Sequence, residues 1–141
     1  MKISVQSGDF DVGFEIKNIS KSNSTGAVAS FIGLVRDVGM TLEHYPGMTE
    51  RAIAKIVDEA KGRWQVMDCA VIHRYGALEP NDQIVLVAVA SAHRGDAFAA
   101  CEFIMDYLKT RAPFWKKEQT ADGARWVEAK SADDQAAERW K

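Results

Sequence analysis

Residues 83–92, QIVLVAVASA, run from Ile84 to Ala90 without a polar side chain. A strand with one wet face alternates polar and apolar residues, so an unbroken run marks a central strand covered on both faces. The rest of the chain must then supply neighbouring strands and a covering layer for each side. CAVIHRYG reads as the preceding strand and ALEPND as the turn that joins the two into a hairpin.

Helices come from the 3.6-residue period. Met48, Ala52, Ile56, Ala60 and Trp64 recur at i, i+4 spacing after Pro46, with charged residues on the other faces. A second amphipathic helix is predicted from about Gly95 to Lys109, with Phe98, Cys101, Ile104, Met105 and Leu108 inward and Pro113 as its stop. KISVQ and TLEHY read as strands, FDVGFEIKNIS as a short helix, and GAVASFIGLVR (residues 26–36) as a buried strand. FWKKEQT and ARWVEAK flank ADG, where the Asp-Gly step predicts a C-terminal β-hairpin. SADDQAAERWK predicts a last helical turn or two. Helices that fall between antiparallel hairpins define an α+β class with a mainly antiparallel sheet. At 141 residues, without a linker or repeat, one domain over 1–141 is expected.

Composition narrows the function classes. A net charge of -2 argues against a nucleic-acid partner, and no apolar run is long enough for a membrane span or a signal peptide. A cytoplasmic address follows. Cys69 and Cys101 lie in apolar stretches without CxxC spacing, which makes them reduced core residues and excludes a structural zinc site. His44 and His73 have no ligand partner at metal spacing and read as structural. No cofactor motif is present, and the tryptophans read as packing anchors.

What remains is a set of cations at element boundaries. LKTRAPFWKK, residues 108–117, places Lys109 at a helix end and Lys116 and Lys117 at the start of a strand. Strand neighbours point to opposite faces, so only one of Lys116 and Lys117 can share a pocket with Lys109. Taken singly, Lys109 suits the negative end of a helix and the other two suit a solvated strand edge. His93 and Arg94 open the second helix, where an anion is favoured, and Arg36 follows an apolar strand. Three segments delivering cations to boundaries suggest an anion pocket more strongly than any one of them.

LEHYPGMTE, IHRYG, VAVASAHR, AFAACEFIMDYLKTRAPFWKKE and RWVEAK occur in an order and spacing that resembles the large, catalytic subunit family of molybdopterin synthase. The likeness runs from about Gly26 to Trp140 and is densest from Ser91 to Glu118. It implies an α/β hammerhead fold and a homodimer within a heterotetramer, each protomer binding a small ubiquitin-like sulfur carrier. It also implies conversion of cyclic pyranopterin monophosphate into the molybdopterin dithiolene, with sulfur supplied by a thiocarboxylate on the carrier's C-terminal Gly-Gly. No reactive cysteine is then needed.

Carried over by residue, the resemblance gives Lys109 a place beside the carrier's C-terminus and Lys116 a contact with the pterin, both as proton donors and acceptors. Arg36, His93 and Arg94 become phosphate and pterin contacts, the latter two reaching in from the second protomer. The backbone at Leu34 and Val35, with Lys117 and Glu118, completes the pocket wall. Met105 becomes an apolar lining residue and Lys130 a further contact. Phe114 and Trp115 are assigned to the wall of the carrier-tail channel. Many family members have a longer glycine-containing segment where this chain has only DVGMT, residues 37–41, and arginine where Lys130 stands. From the residues alone, a non-catalytic module that binds a phosphorylated metabolite is the competing reading.

Overall fold

The computed structural model describes residues 1–120, 123–127 and 131–141. Among these, the elements run β1 (Lys2–Gln6), α1 (Val12–Ile19), β2 (Ala27–Leu34), β3 (Met40–His44), α2 (Met48–Arg63), β4 (Asp68–Arg74), β5 (Gly76–Leu78), β6 (Gln83–Ser91), α3 (Arg94–Arg111), β7 (Phe114–Thr120), β8 (Gly123–Val127) and α4 (Ser131–Glu138). They build two four-stranded sheets, ordered β1-β4-β6-β2 and β5-β3-β7-β8. The α+β class is as expected, but the expected single sheet is two, and β1 pairs with β4 in parallel.

The apolar run forms β6, between β4 and β2. Leu86, Ala88 and Ala90 join Ala70, Ile72 and Ile19 on the face that α1 covers. Val85, Val87 and Val89 join Cys69 and Val71 on the other, against α2 and α3. Each large aliphatic side chain buried in this way contributes about 1.5–3 kcal/mol, so the two-sided run is the main stabiliser of the first sheet.

Three sequence expectations shift. β2 is an edge strand rather than a buried one: Ser30 is exposed and Phe31 is 43% exposed. In α2 the buried stripe is Thr49, Ile53, Ile56, Val57 and Ala60, and Met48 is exposed. Thr49 takes the inward place because its hydroxyl donates to the Tyr45 carbonyl at 2.8 Å. Gly47 precedes it at φ +83, a conformation that favours glycine, and its N–H donates to Glu50 Oε2 at 2.6 Å. In α3, Phe98 is 65% exposed, because Ala97, Ala100, Cys101 and Ile104 form the stripe that meets the first sheet.

Phe103 and Tyr107 are also buried, so α3 is covered on more than one side. Trp64 and Trp140 pack edge-on against Phe103, and Trp140 Nε1 donates to Asp106 Oδ2 at 2.6 Å, fastening α4 to α3. The short β5, within a stretch that reads as a turn, pairs with β3. The expected Asp-Gly turn falls partly on residues outside those described, but the strands it joins pair antiparallel, Lys116 opposite Val127 and Thr120 opposite Gly123.

Candidate active-site cleft

A cleft of about 890 Å³ opens where the end of β2, the C-terminal half of α3 and the inner face of β7 converge. A register shift between Gly33 and Leu34 ends the β2 ladder. The chain then ties to the β5–β6 turn: Val35 N–H donates to the Asp82 carbonyl at 2.9 Å, and Asn81 N–H donates to the Val35 carbonyl at 2.8 Å. Val35 is buried as a result, and its amide is already paired, so it forms wall without offering a donor to a ligand. Leu34 is exposed at the rim and Arg36 follows it.

Lys109 enters from α3, one turn beyond Met105, and both line the cleft. Lys116 enters from β7, where it stands opposite Leu42 of β3, and Glu118 stands opposite Met40. Alternation sends Lys117 to the other face of the strand, opposite Thr41, and it does not line the cleft. By the same alternation Phe114 and Trp115 part company. Phe114 stacks on His73, Trp115 pairs edge-on with Tyr45, and no common channel wall results.

Three basic side chains, Arg36, Lys109 and Lys116, therefore share the cleft with two acidic ones, Asp37 and Glu118. The balance favours an anionic guest. Arg36 lies 3.6 Å from Asp37 with both side chains 81% exposed, a geometry worth little in water. His93 and Arg94 lie elsewhere. They are exposed at the opposite end of α3, fifteen residues from Lys109, which at 1.5 Å per residue is about 22 Å along the helix axis. Lys130 is outside the described residues.

The cysteines are buried and unbridged, and burial pushes both thiols up to about 11, far from a reactive thiolate. Among the described residues, no three His, Cys, Asp or Glu side chains are grouped to hold a metal ion, and no helix is long and apolar enough to cross a membrane. The cleft also contains Phe31 and Asp37, which the sequence reading passed over, and His73, which it took as structural. Phe31 sits two residues before Gly33 on a strand that ends at the cleft, a period-2 signal that was available. His73 carries no such signal, because its role depends on which helix end packs above it.

Residues 5–111 match the family model described as MoaE protein. The molybdopterin synthase catalytic subunit of Ralstonia nicotianae is 63% identical over an alignment of 146 positions, spanning 98% of this chain and 83% of that protein. That alignment exceeds the 141 residues of the chain, so it includes positions of that protein with no counterpart here. Among solved structures, the molybdopterin biosynthesis MoaE protein from Burkholderia ambifaria is 57% identical, with a TM-score of 0.87 and coverage of 99% and 97% of the two chains. A protein-protein complex of subunits 1 and 2 of molybdopterin-converting factor from Helicobacter pylori, 20% identical with a TM-score of 0.76 over 89% and 90%, shares the fold. Matched over its full length by relatives of that name, the chain belongs to the MoaE protein family, that of the molybdopterin synthase catalytic subunits.

Proposed function

We propose that the cleft is a sulfur-insertion site in which Lys109 and Lys116 move protons while a thiocarboxylate on a small ubiquitin-like carrier supplies sulfur to cyclic pyranopterin monophosphate. One observation carries this reading: two lysines from different elements line one cleft with Arg36 and two carboxylates, and no activated thiol is at hand. A thiocarboxylate is already a sulfur nucleophile, so the protein needs to place it, neutralise the phosphate, and shuttle protons. Sulfur adds to a ring carbon, oxygen leaves with a proton, and water cleaves the acyl link that frees the carrier.

In this scheme Lys109 stands beside the carrier's terminus and Lys116 beside the pterin, with Leu34, Val35 and Met105 as walls and Glu118 as a partner for the lysines. Arg36 neutralises the phosphate. His93 and Arg94 complete the site from a second protomer, the arrangement that about 22 Å of helix between them and Lys109 calls for. Two catalytic chains and two carriers then make a heterotetramer, a reading supported by the two-subunit complex solved for the Helicobacter pylori protein. The whole chain acts as one domain, in the cytoplasm.

The test combines purified protein, thiocarboxylated carrier and the cyclic pterin, and assays dithiolene product. Wild type should turn over, and folded Lys109→Ala and Lys116→Ala should lose about 10²–10⁴-fold in rate. Pterin binding without product in wild type would instead favour the non-catalytic module.

A further inference from the structure

His73 stands in the wall of the cleft, and none of the chemistry above uses it. It is the last residue of β4 on the face that carries Cys69 and Val71, and it is buried beneath the C-terminal half of α3. Its ring stacks on Phe114 with centroids 3.7 Å apart and planes 18° from parallel. Nδ1 lies 2.9 Å from the Arg74 carbonyl oxygen. A carbonyl can only accept, so Nδ1 carries the hydrogen and Nε2 keeps its lone pair. Burial, helped by the neighbouring Lys109 and His44 and opposed by the Arg74 bond, brings the imidazole down to about 4, so the ring is neutral under working conditions.

His44 is oriented by the same logic. The Thr49 hydroxyl donates to the Tyr45 carbonyl, so at 3.1 Å it is the acceptor for His44 Nδ1–H. His44 and His73 flank Phe114, at 5.9 and 3.7 Å, which fixes the ring that supports His73. The outcome is a rigid, uncharged acceptor in the wall of the cleft that Lys109 also lines.

We propose that His73 is a positioning residue for Lys109: its Nε2 accepts a hydrogen bond from the Lys109 ammonium and holds that flexible side chain toward the cleft. The inference rests on the assignment of Lys109 to the sulfur-insertion site. A lysine near a helix end otherwise samples many rotamers, and holding it in the reactive one removes that entropy cost from the chemical step.

His73→Phe keeps the stack and the volume but removes the acceptor; His73→Gln returns an acceptor near the position of Nε2. Two readouts are taken. The first is the side-chain NMR signal of Lys109 in lysine-labelled protein, identified by its loss in Lys109→Arg. The second is kcat and KM for the cyclic pterin with thiocarboxylated carrier. In folded His73→Phe the Lys109 signal should move to the position of a mobile lysine, and kcat should fall about tenfold with KM nearly unchanged, as loss of one hydrogen bond to a charged group predicts. His73→Gln should recover most of both. If His73→Phe does not fold, His73→Leu is read the same way. An unmoved Lys109 signal in a folded variant overturns the proposal. A moved signal in His73→Phe, together with wild-type protein that makes no product, upholds the contact and overturns the sulfur-insertion reading instead.

Discussion

The two ends of α3 carry cations in opposite settings. At the C-terminal end Lys109 shares a cleft with Lys116 and Arg36, over a floor that includes a buried imidazole. At the N-terminal end His93 and Arg94 are exposed at the junction with β6, which Gly26 approaches so closely that a Cβ there would sit 2.2 Å from the Ala92 carbonyl oxygen. One end is a walled cleft and the other is a pair of exposed basic side chains on a rigid junction without walls of their own. A helix about 22 Å long between them cannot bring the two together in one chain. The difference teaches why the proposed function needs a second chain: on that reading, each chain holds halves of two different sites.

The sharpest way to break this comparison is subunit complementation. Arg94→Ala and Lys109→Ala should each lower product formation by about 10²-fold or more. If Arg94 of one chain serves the cleft of another, equal mixing of the two variants produces hybrid dimers in which one of the two sites is intact, and roughly a quarter of wild-type activity returns. If both residues serve the same chain's site, every hybrid site keeps one defect. No recovery would then result, and the two ends of α3 would have to be read as unrelated.

How much of this was legible in the sequence differs between the same two regions. The run from Ile84 to Ala90 declares its burial on both faces, and alternation in FWKKE by itself separates Lys116 from Lys117. The edge position of β2 was not legible, because Ala27–Leu34 is as apolar as a central strand and strand order is a property of the whole chain. Phe98 misleads for a related reason: helical period fixes the angle between side chains, but Ala97 and Ala100 claim the sheet because small residues allow close packing. His73 is the clearest case. Its sequence neighbours describe a strand interior, and only the packing of β7 and the end of α3 above that strand turns it into cleft floor.

The second prediction sets the two histidines against each other. His73 is held neutral with its pKa down to about 4, against about 6.5 unfolded, so the unfolded chain binds more protons between those values. Stability from this group is complete above about pH 6.5 and is lost as pH falls toward 4, to a total of about 3 kcal/mol. Denaturant midpoints measured from pH 7 to pH 4 should show that slope and His73→Phe should flatten it, with His93→Gln at the exposed end as the control for a histidine substitution.

The middle of α3 supplies a control for both ends. Cys101 is core, with Sγ 3.5 Å from the Val87 carbonyl, and Cys69 lies on the same face of the first sheet. Replacing both with serine should leave turnover per folded molecule unchanged while costing about 1–3 kcal/mol at a site with no acceptor for the new hydroxyl. The loss should be smaller at Cys101, where the Val87 carbonyl stands ready, than at Cys69. Loss of turnover with an intact fold would mean that sulfur passes through a protein thiol, and the walled end of α3 would need a different chemistry.

The smallest effect belongs to the rim. Asp37 lies 3.6 Å from Arg36 and lines the cleft, so under the proposed function its carboxylate would compete with an incoming phosphate for the guanidinium. Both groups are largely in water, where such a pair is worth about 0.2–1 kcal/mol. Asp37 also sits at φ +71, a conformation that asparagine tolerates as readily, so Asp37→Asn removes charge without disturbing the backbone. Affinity for the cyclic pterin should rise by at most about fivefold in low salt, and the gain should fade as ionic strength shortens the range of the carboxylate's field. Affinity unchanged by Asp37→Asn, yet weakened by Arg94→Ala, would move the phosphate away from Arg36 and toward the cations contributed by the second chain. The walled end of α3 would then hold the carrier's tail, and the open end the phosphate.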